Sequence, residues 1–224
     1  MHFLIKGKLE VDLSNITVNK QSSIRIAGSK ILYFDTFQIE EEKHDADYIF
    51  ITHEHYDHFD PVSIAKVMKE DSVIIAPESM KKKLLKELAV DETNCIFCAP
   101  RTIHEFNQLW VETVPAYNNL KPFHTKGSKW VGYIVKMDGV TYYIAGDTDP
   151  NEDVKKVKCD VALIPIGGHY TMDKKQAADL ISGMKPKAAI PTHYGELVGN
   201  TTDGADFKDY IDIVDKDIQV ELKL

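Results

Sequence analysis

The 224-residue chain is 43% hydrophobic and 28% charged, a balance that suits a folded protein with a sizeable core. Its 35 acidic residues outnumber 27 Lys and Arg, for a formal charge of −8. That excess argues against a nucleic-acid surface, which needs clustered Lys and Arg, but a small anionic substrate held by a local cation remains compatible with it.

The first fifty residues predict short strands at Leu4 to Lys6, Ile16 to Val18, Ile24 to Ala27 and Ile31 to Phe34, broken by Gly7, Ser22-Ser23 and Gly28-Ser29-Lys30. Tyr48 to Ile51 is continuously apolar, as in a strand covered on both faces. It runs into Thr52-His53-Glu54-His55-Tyr56-Asp57-His58. A helix is expected next, with Asp60 as N-cap, Pro61 in its first turn, and Ile64, Val67 and Met68 on its apolar face. Val73 to Ala76 reads as a strand and Glu78 to Leu88 as a helix. Leu109 to Val114 alternates, and Pro115 to Lys129 is irregular. Trp130 to Lys136 and Val140 to Ala145 form a hairpin through Asp138-Gly139. Val161 to Ile166 is another buried-type strand, followed by a helix from the Asp173/Gln176 capping box to about Met184. Ala188 to Ile190, a helix over Phe207 to Val214 and an edge strand over Ile218 to Leu222 complete the series. No linker or low-complexity tract interrupts the chain, so one domain over 1–224 is expected, with two mixed sheets flanked by helices.

Three cysteines are too few for a disulfide scaffold. Cys95 and Cys98 lack the second pair of a four-thiolate zinc site and read as half-buried residues at a strand end. No window approaches the roughly 20 apolar residues of a membrane span, and the first residues lack an export signal, so the expected location is the cytoplasm without stable membrane insertion.

The chemistry concentrates after the strand at 48–51. His53, His55, Asp57 and His58 fall within six residues in a loop at a strand's C-terminal end, where α/β sheets commonly build sites. Imidazole and carboxylate together suit zinc, and also manganese or iron. Asp147, in Gly146-Asp147-Thr148, and His193, in Pro191-Thr192-His193, also follow apolar strands, so the three clusters can converge. Taken alone, Asp147 is equally an Asx-turn residue and His193 equally a structural one.

Thr52-His53-Glu54-His55-Tyr56-Asp57-His58 resembles the HxHxDH motif of the metallo-β-lactamase superfamily. Ile31 to Asp35, Gly146 to Thr148 and Ile190 to Gly195 resemble further segments of that family, and the resemblance spans roughly residues 1 to 222. Leu163, Pro165, Gly168, Tyr170, Thr171 and Met172 further resemble a small branch containing ascorbate-6-phosphate lactonase-like proteins, with N-acylphosphatidylethanolamine phospholipase D-like hydrolases nearby. The resemblance implies an αββα sandwich of two similar halves. It implies one or two Zn2+ ions, with Mn2+ or Fe also compatible. His53 and His55 would hold the first metal, Asp57, His58 and His193 the second, and Asp147 would bridge them. Asp35 would orient the histidine loop through hydrogen bonds. At one position the chain departs from the family: Asn118 stands where a further histidine usually serves the first metal. Either His124 or His169 completes that set, or Asn118 or water does, or one metal alone is held tightly.

The implied activity is hydrolysis of a small ester, lactone or phosphodiester by a metal-activated hydroxide, with Asp57 and Asp147 orienting the nucleophile. With a single metal, His169, Tyr170 or Lys126 must serve the leaving group. Lys126 and Lys129 can grip an anionic substrate, or belong to a solvated loop. Phe59, Tyr117, Phe123 and Tyr170 offer apolar surface, or simply pack. A homo-oligomer is compatible by family analogy. The rival expectation is a non-hydrolytic protein, either iron-binding and redox-active or merely metal- or ligand-binding with a degenerate first site.

Overall fold

The computed structural model describes residues 11–106 and 108–224, so the strand expected at Leu4 to Lys6 lies outside the described residues. Sheet one takes its strands in sequence order: β1 (Ile16–Lys20), β2 (Ser23–Ala27), β3 (Ile31–Phe34), β4 (Ala46–Phe50), β5 (Met68–Pro77) and β6 (Cys95–Cys98). Sheet two runs from β7 (Ile103–Phe106), β8 (Leu109–Pro115), β9 (Val131–Met137) and β10 (Val140–Ile144) to β11 (Val161–Pro165), β12 (Ala188–Thr192) and β13 (Gln219–Val220). Each sheet begins with antiparallel pairs and ends with three parallel ones, β3 to β6 in the first and β10 to β13 in the second. Parallel neighbours need crossovers. Helices α1 (Pro61–Val67) and α2 (Lys81–Leu88) supply them in the first half, α3 (Lys174–Met184) and α4 (Asp203–Val214) in the second.

Strict alternation along apolar strands builds three layers. Leu32, Phe34 and Phe50 point between the sheets, where they meet Val111, Tyr133, Ile144, Leu163 and Ile190. Their neighbours Tyr33 and Ile49 point outward onto Ile64, Val67 and Leu84 of α1 and α2. In sheet two, Tyr143, Ala162 and Ile164 turn outward onto Ala177, Ile181, Phe207 and Ile211 of α3 and α4. The result is the αββα sandwich, two mixed sheets flanked by helices.

Several boundaries differ from expectation. Met68 leaves the helix to begin β5, because α1 ends at Val67 and its cap residue is already extended. Glu78–Met80 is a 3-10 turn ahead of α2. Helix α4 starts one turn before Phe207, where Gly204 lets the Tyr194 ring approach: a Cβ there would lie 2.3 Å from the Tyr194 hydroxyl. The last strand keeps only Gln219–Val220, at the sheet edge. Cys95 and Cys98 bound β6 and are free thiols, Cys98 buried and pushed up to about 12 by burial. Among the described residues no helix is long and apolar enough to cross a membrane.

Candidate metal centre

The site begins where β4 stops. Thr52 and His53 follow the strand directly, and the loop is fixed from below by Asp35 at the end of β3. The fully buried Asp35 carboxylate accepts from the Thr52 N–H at 2.8 Å and the Thr52 hydroxyl at 2.7 Å, and lies 2.8 Å from His58 Nδ1. The other sheet reaches the same place: Tyr133 of β9 donates its hydroxyl to the Ile51 carbonyl at 2.7 Å, and the Val131 N–H reaches the Thr52 carbonyl at 3.3 Å. Gly146, just past β10, has φ +62° and faces Thr52, whose Cβ would be 2.9 Å from an added Cβ. Only glycine accepts both the left-handed backbone and that approach. This close packing places Asp147 against the histidine loop.

His193 follows β12 in a left-handed conformation (φ +55°), with its N–H on the Gln21 carbonyl at 3.0 Å. His124 comes from the loop 116–130, where its carbonyl accepts from the Asn118 N–H at 2.7 Å. Three groups of ligand-type side chains result: His53, His55 and His124; His53, His58 and Asp147; and Asp57, His58 and His193. Within each, the candidate atoms lie within 4.8 Å of one another. No cysteine joins these groups among the described residues.

Asp147 sits at the junction. Its Oδ2 faces His124 Nε2 at 3.4 Å and His53 Nε2 at 4.0 Å, while its Oδ1 faces His58 Nε2 at 3.3 Å and His193 Nε2 at 3.4 Å. Asp57 Oδ2 approaches His193 Nε2 at 3.2 Å and His58 Nε2 at 3.6 Å. His53 Nε2 and His55 Nδ1 are 3.1 Å apart.

The electrostatics follow from burial and these neighbours. Burial pushes His53 well below its ordinary value, takes His124 down to about 4 and lowers His55, so these imidazoles stay neutral at pH 7 with a lone pair to offer. His58 is also buried, but the Asp147 and Asp35 carboxylates outweigh burial and raise it well above the usual histidine range. Burial opposes ionisation of Asp147, yet His193 and His58 hold it well below the usual carboxylate range. Asp57 is lowered too, because the hydrogen bond from His193 overcomes its burial.

A cation fits this set. His58 Nε2, both ring nitrogens of His124, His193 Nδ1 and Asp147 Oδ1 are buried without hydrogen-bond partners, an arrangement that costs free energy unless something occupies the lone pairs. Five imidazoles and two carboxylates without thiolate form a nitrogen and oxygen donor set.

The remaining residues expected at the site lie around it. Asn118 is buried, donating Nδ2 to the Tyr170 carbonyl at 2.7 Å and leaving Oδ1 unpartnered. His169 is exposed, its ring 4.5 Å from Tyr170. Lys126 places its ammonium 5.1 Å from the Tyr117 ring centre. Trp130 was readable only as the start of a strand, yet its ring contacts those of His53, His55 and His124 at 4.9–5.0 Å and walls one side of the centre. Nothing in its sequence context distinguishes it from a core aromatic. Lys121, also without a signal, ties the loop 116–130 to Asp149 at 2.6 Å and to the Thr171 carbonyl.

Residues 16–193 match the model of the beta-lactamase superfamily domain. A UPF0173 metal-dependent hydrolase of Thermococcus kodakarensis is 34% identical over 197 residues, 82% of this chain and 85% of that protein. Another from Archaeoglobus fulgidus is 32% identical and covers 92% and 94% of the two chains. Among solved structures, a candidate metal-dependent hydrolase of Parabacteroides distasonis superposes with a TM-score of 0.78 at 31% identity, over 93% of this chain and 92% of that one. With the sandwich and the cluster of histidines and aspartates already in place, these likenesses show that the chain belongs to the β-lactamase superfamily, among its metal-dependent hydrolases.

Proposed function

We propose that this metal-dependent hydrolase acts on a small ester, lactone or phosphodiester and uses two ions, zinc being the best match to the donors. His53, His55 and His124 would hold the first ion and Asp57, His58 and His193 the second, with Asp147 available to both. The observation that carries this reading is the division of the Asp147 carboxylate, one oxygen toward His53 and His124, the other toward His58 and His193. Bound there, divalent ions supply a water of lowered pKa and a Lewis acid for the scissile carbonyl or phosphoryl oxygen.

The chain's own residues do the rest. Asp57 and Asp147, both held ionised, orient the attacking water and accept its proton. Asp35 fixes the orientation of His58, and through Thr52 that of the loop, so the donor atoms are placed before substrate arrives. Trp130 and the buried loop residues exclude bulk water from the first histidine group, which strengthens every charge interaction inside. Exposed His169 stands on the rim as the proton donor for the leaving group.

The test is elemental mass spectrometry on protein purified without added metal or chelator, paired with turnover of ester, lactone and phosphodiester panels. About two zinc or manganese ions per chain are expected. His124→Ala should hold about one, and Asp147→Ala should lose both the ions and turnover, with unchanged circular dichroism. Full activity in His55→Ala and His58→Ala would overturn the assignment, and iron with visible absorbance would favour redox chemistry.

A further inference from the structure

Two large aromatic side chains left in water lie on loops next to the centre. Phe123 and Tyr170 are 41% and 37% exposed, whereas Phe59 and Tyr117, two further aromatic residues near the site, are packed away at 3% and 9%. The Phe123 and Tyr170 rings meet edge to face at 5.1 Å, and the His169 ring lies beside Tyr170 at 4.5 Å and 6.3 Å from Phe123. Leu120, 97% exposed, lies on the same loop as Phe123. An exposed apolar cluster of this kind marks a surface kept for binding.

The cluster is preassembled. Asn118 Nδ2 donates to the Tyr170 carbonyl at 2.7 Å, and the Lys121 ammonium joins Asp149 to the Thr171 carbonyl. These bonds bind the two loops to each other beneath the rings. Phe123 immediately precedes His124, whose ring contacts both His53 and His55 at 4.7 Å. Phe123 therefore shares its loop with a member of the first histidine group.

We infer that Phe123 and Tyr170 form an acyl- or aryl-binding subsite, so that preferred substrates carry an apolar chain beside the scissile bond; this rests on the hydrolytic reading of the centre. Offset and edge-on ring faces accept alkyl and aryl groups alike. Because burial of one methylene contributes about 0.8 kcal/mol, affinity is expected to rise by up to about fourfold for each added methylene.

The experiment uses the metal-loaded protein with Trp110→Phe, which leaves Trp130, in contact with the histidine rings, as the fluorescent reporter. Straight-chain carboxylates from acetate to octanoate and the matching primary alcohols are titrated, the same series being repeated after chelation. The slope of affinity against chain length reads the aromatic subsite, and the metal-dependent advantage of carboxylate over alcohol reads the ions. A slope of about two- to fourfold per methylene is expected for both series, flattened in Phe123→Ala/Tyr170→Ala and kept in Phe123→Leu. Both replaced side chains are exposed, so the core is untouched. Equal slopes in the parent and the double variant, or no saturable binding, would overturn the subsite. A dimer that dissociates in the double variant with the slope unchanged would assign the surface to a second copy and overturn it equally. Loss of the carboxylate advantage with the slope intact would remove the hydrolytic reading and leave the apolar subsite standing.

Discussion

Asp35 is fully buried, and its two oxygens serve Thr52 N–H, the Thr52 hydroxyl and His58 Nδ1. In Asp35→Asn one oxygen becomes an amide donor, which meets groups that already donate. The expected cost is about 2–4 kcal/mol in urea unfolding and about 10–100-fold in zinc affinity by competition with a chromogenic chelator. Unchanged affinity would mean that the His58 ring is held by something other than this carboxylate. At this scale the histidine loop was legible because its four ligand-type residues lie close together in sequence. The completion of the first group was not. His124 reaches His53 and His55 only because its loop turns back on itself, with Asn118 N–H on the His124 carbonyl and His124 itself at φ +54°, and such a path leaves no periodic signal.

Secondary structure was legible wherever local chemistry agreed with tertiary packing. The Asp60 cap, the Asp173/Gln176 capping box and the Asp138-Gly139 hairpin stand as expected. β7, Ile103–Phe106, was missed because its residues alternate between exposed and half-buried at the edge of sheet two, and pairing with β8 rather than its own pattern makes it a strand. A pairing of helices is testable at the same scale. Asp203 at the start of α4 accepts from Lys174 Nζ of α3 at 2.8 Å and from the Asn200 N–H at 2.7 Å. Burial would raise this carboxyl, but those donors prevail and lower it below 3.8. Its contribution is therefore complete above the unfolded value near 4 and is lost as pH falls through the lower folded value. Asp203→Asn should cost about 1 kcal/mol at pH 7 and progressively less below pH 4. A difference that stays constant with pH in urea unfolding would contradict the ion pair's role.

Across the whole molecule, the αββα layering follows from strands apolar on both faces, and that much the sequence declares. Which strand ends meet is settled by packing between the sheets, where Tyr133 of one sheet bonds the Ile51 carbonyl of the other. Sheet one contributes His53, His55, Asp57 and His58, while loops of sheet two contribute His124, Asp147 and His193. Ions bound between them, as proposed, would staple the two halves together. Removing them with a chelator should lower the midpoint of thermal unfolding by roughly 6–16 °C, as a ligand near 100–1,000 times its dissociation constant adds about 3–4 kcal/mol. An unchanged midpoint in calorimetry would show that the sheets hold their docking without ions.

Most of those donors follow a strand end closely, but His124 is presented by the loop 116–130, held down by Asn118, Lys121 and a ring contact with Trp130. The consequence is one of tempo. An ion held by Asp57, His58 and His193 would rest on the loop after β4 and the end of β12, while one that also depends on His124 would loosen whenever the loop 116–130 lifts. Of two ions bound as proposed, the one that depends on His124 would exchange faster, and the loop that governs its exchange also presents the aromatic surface on which substrate would rest.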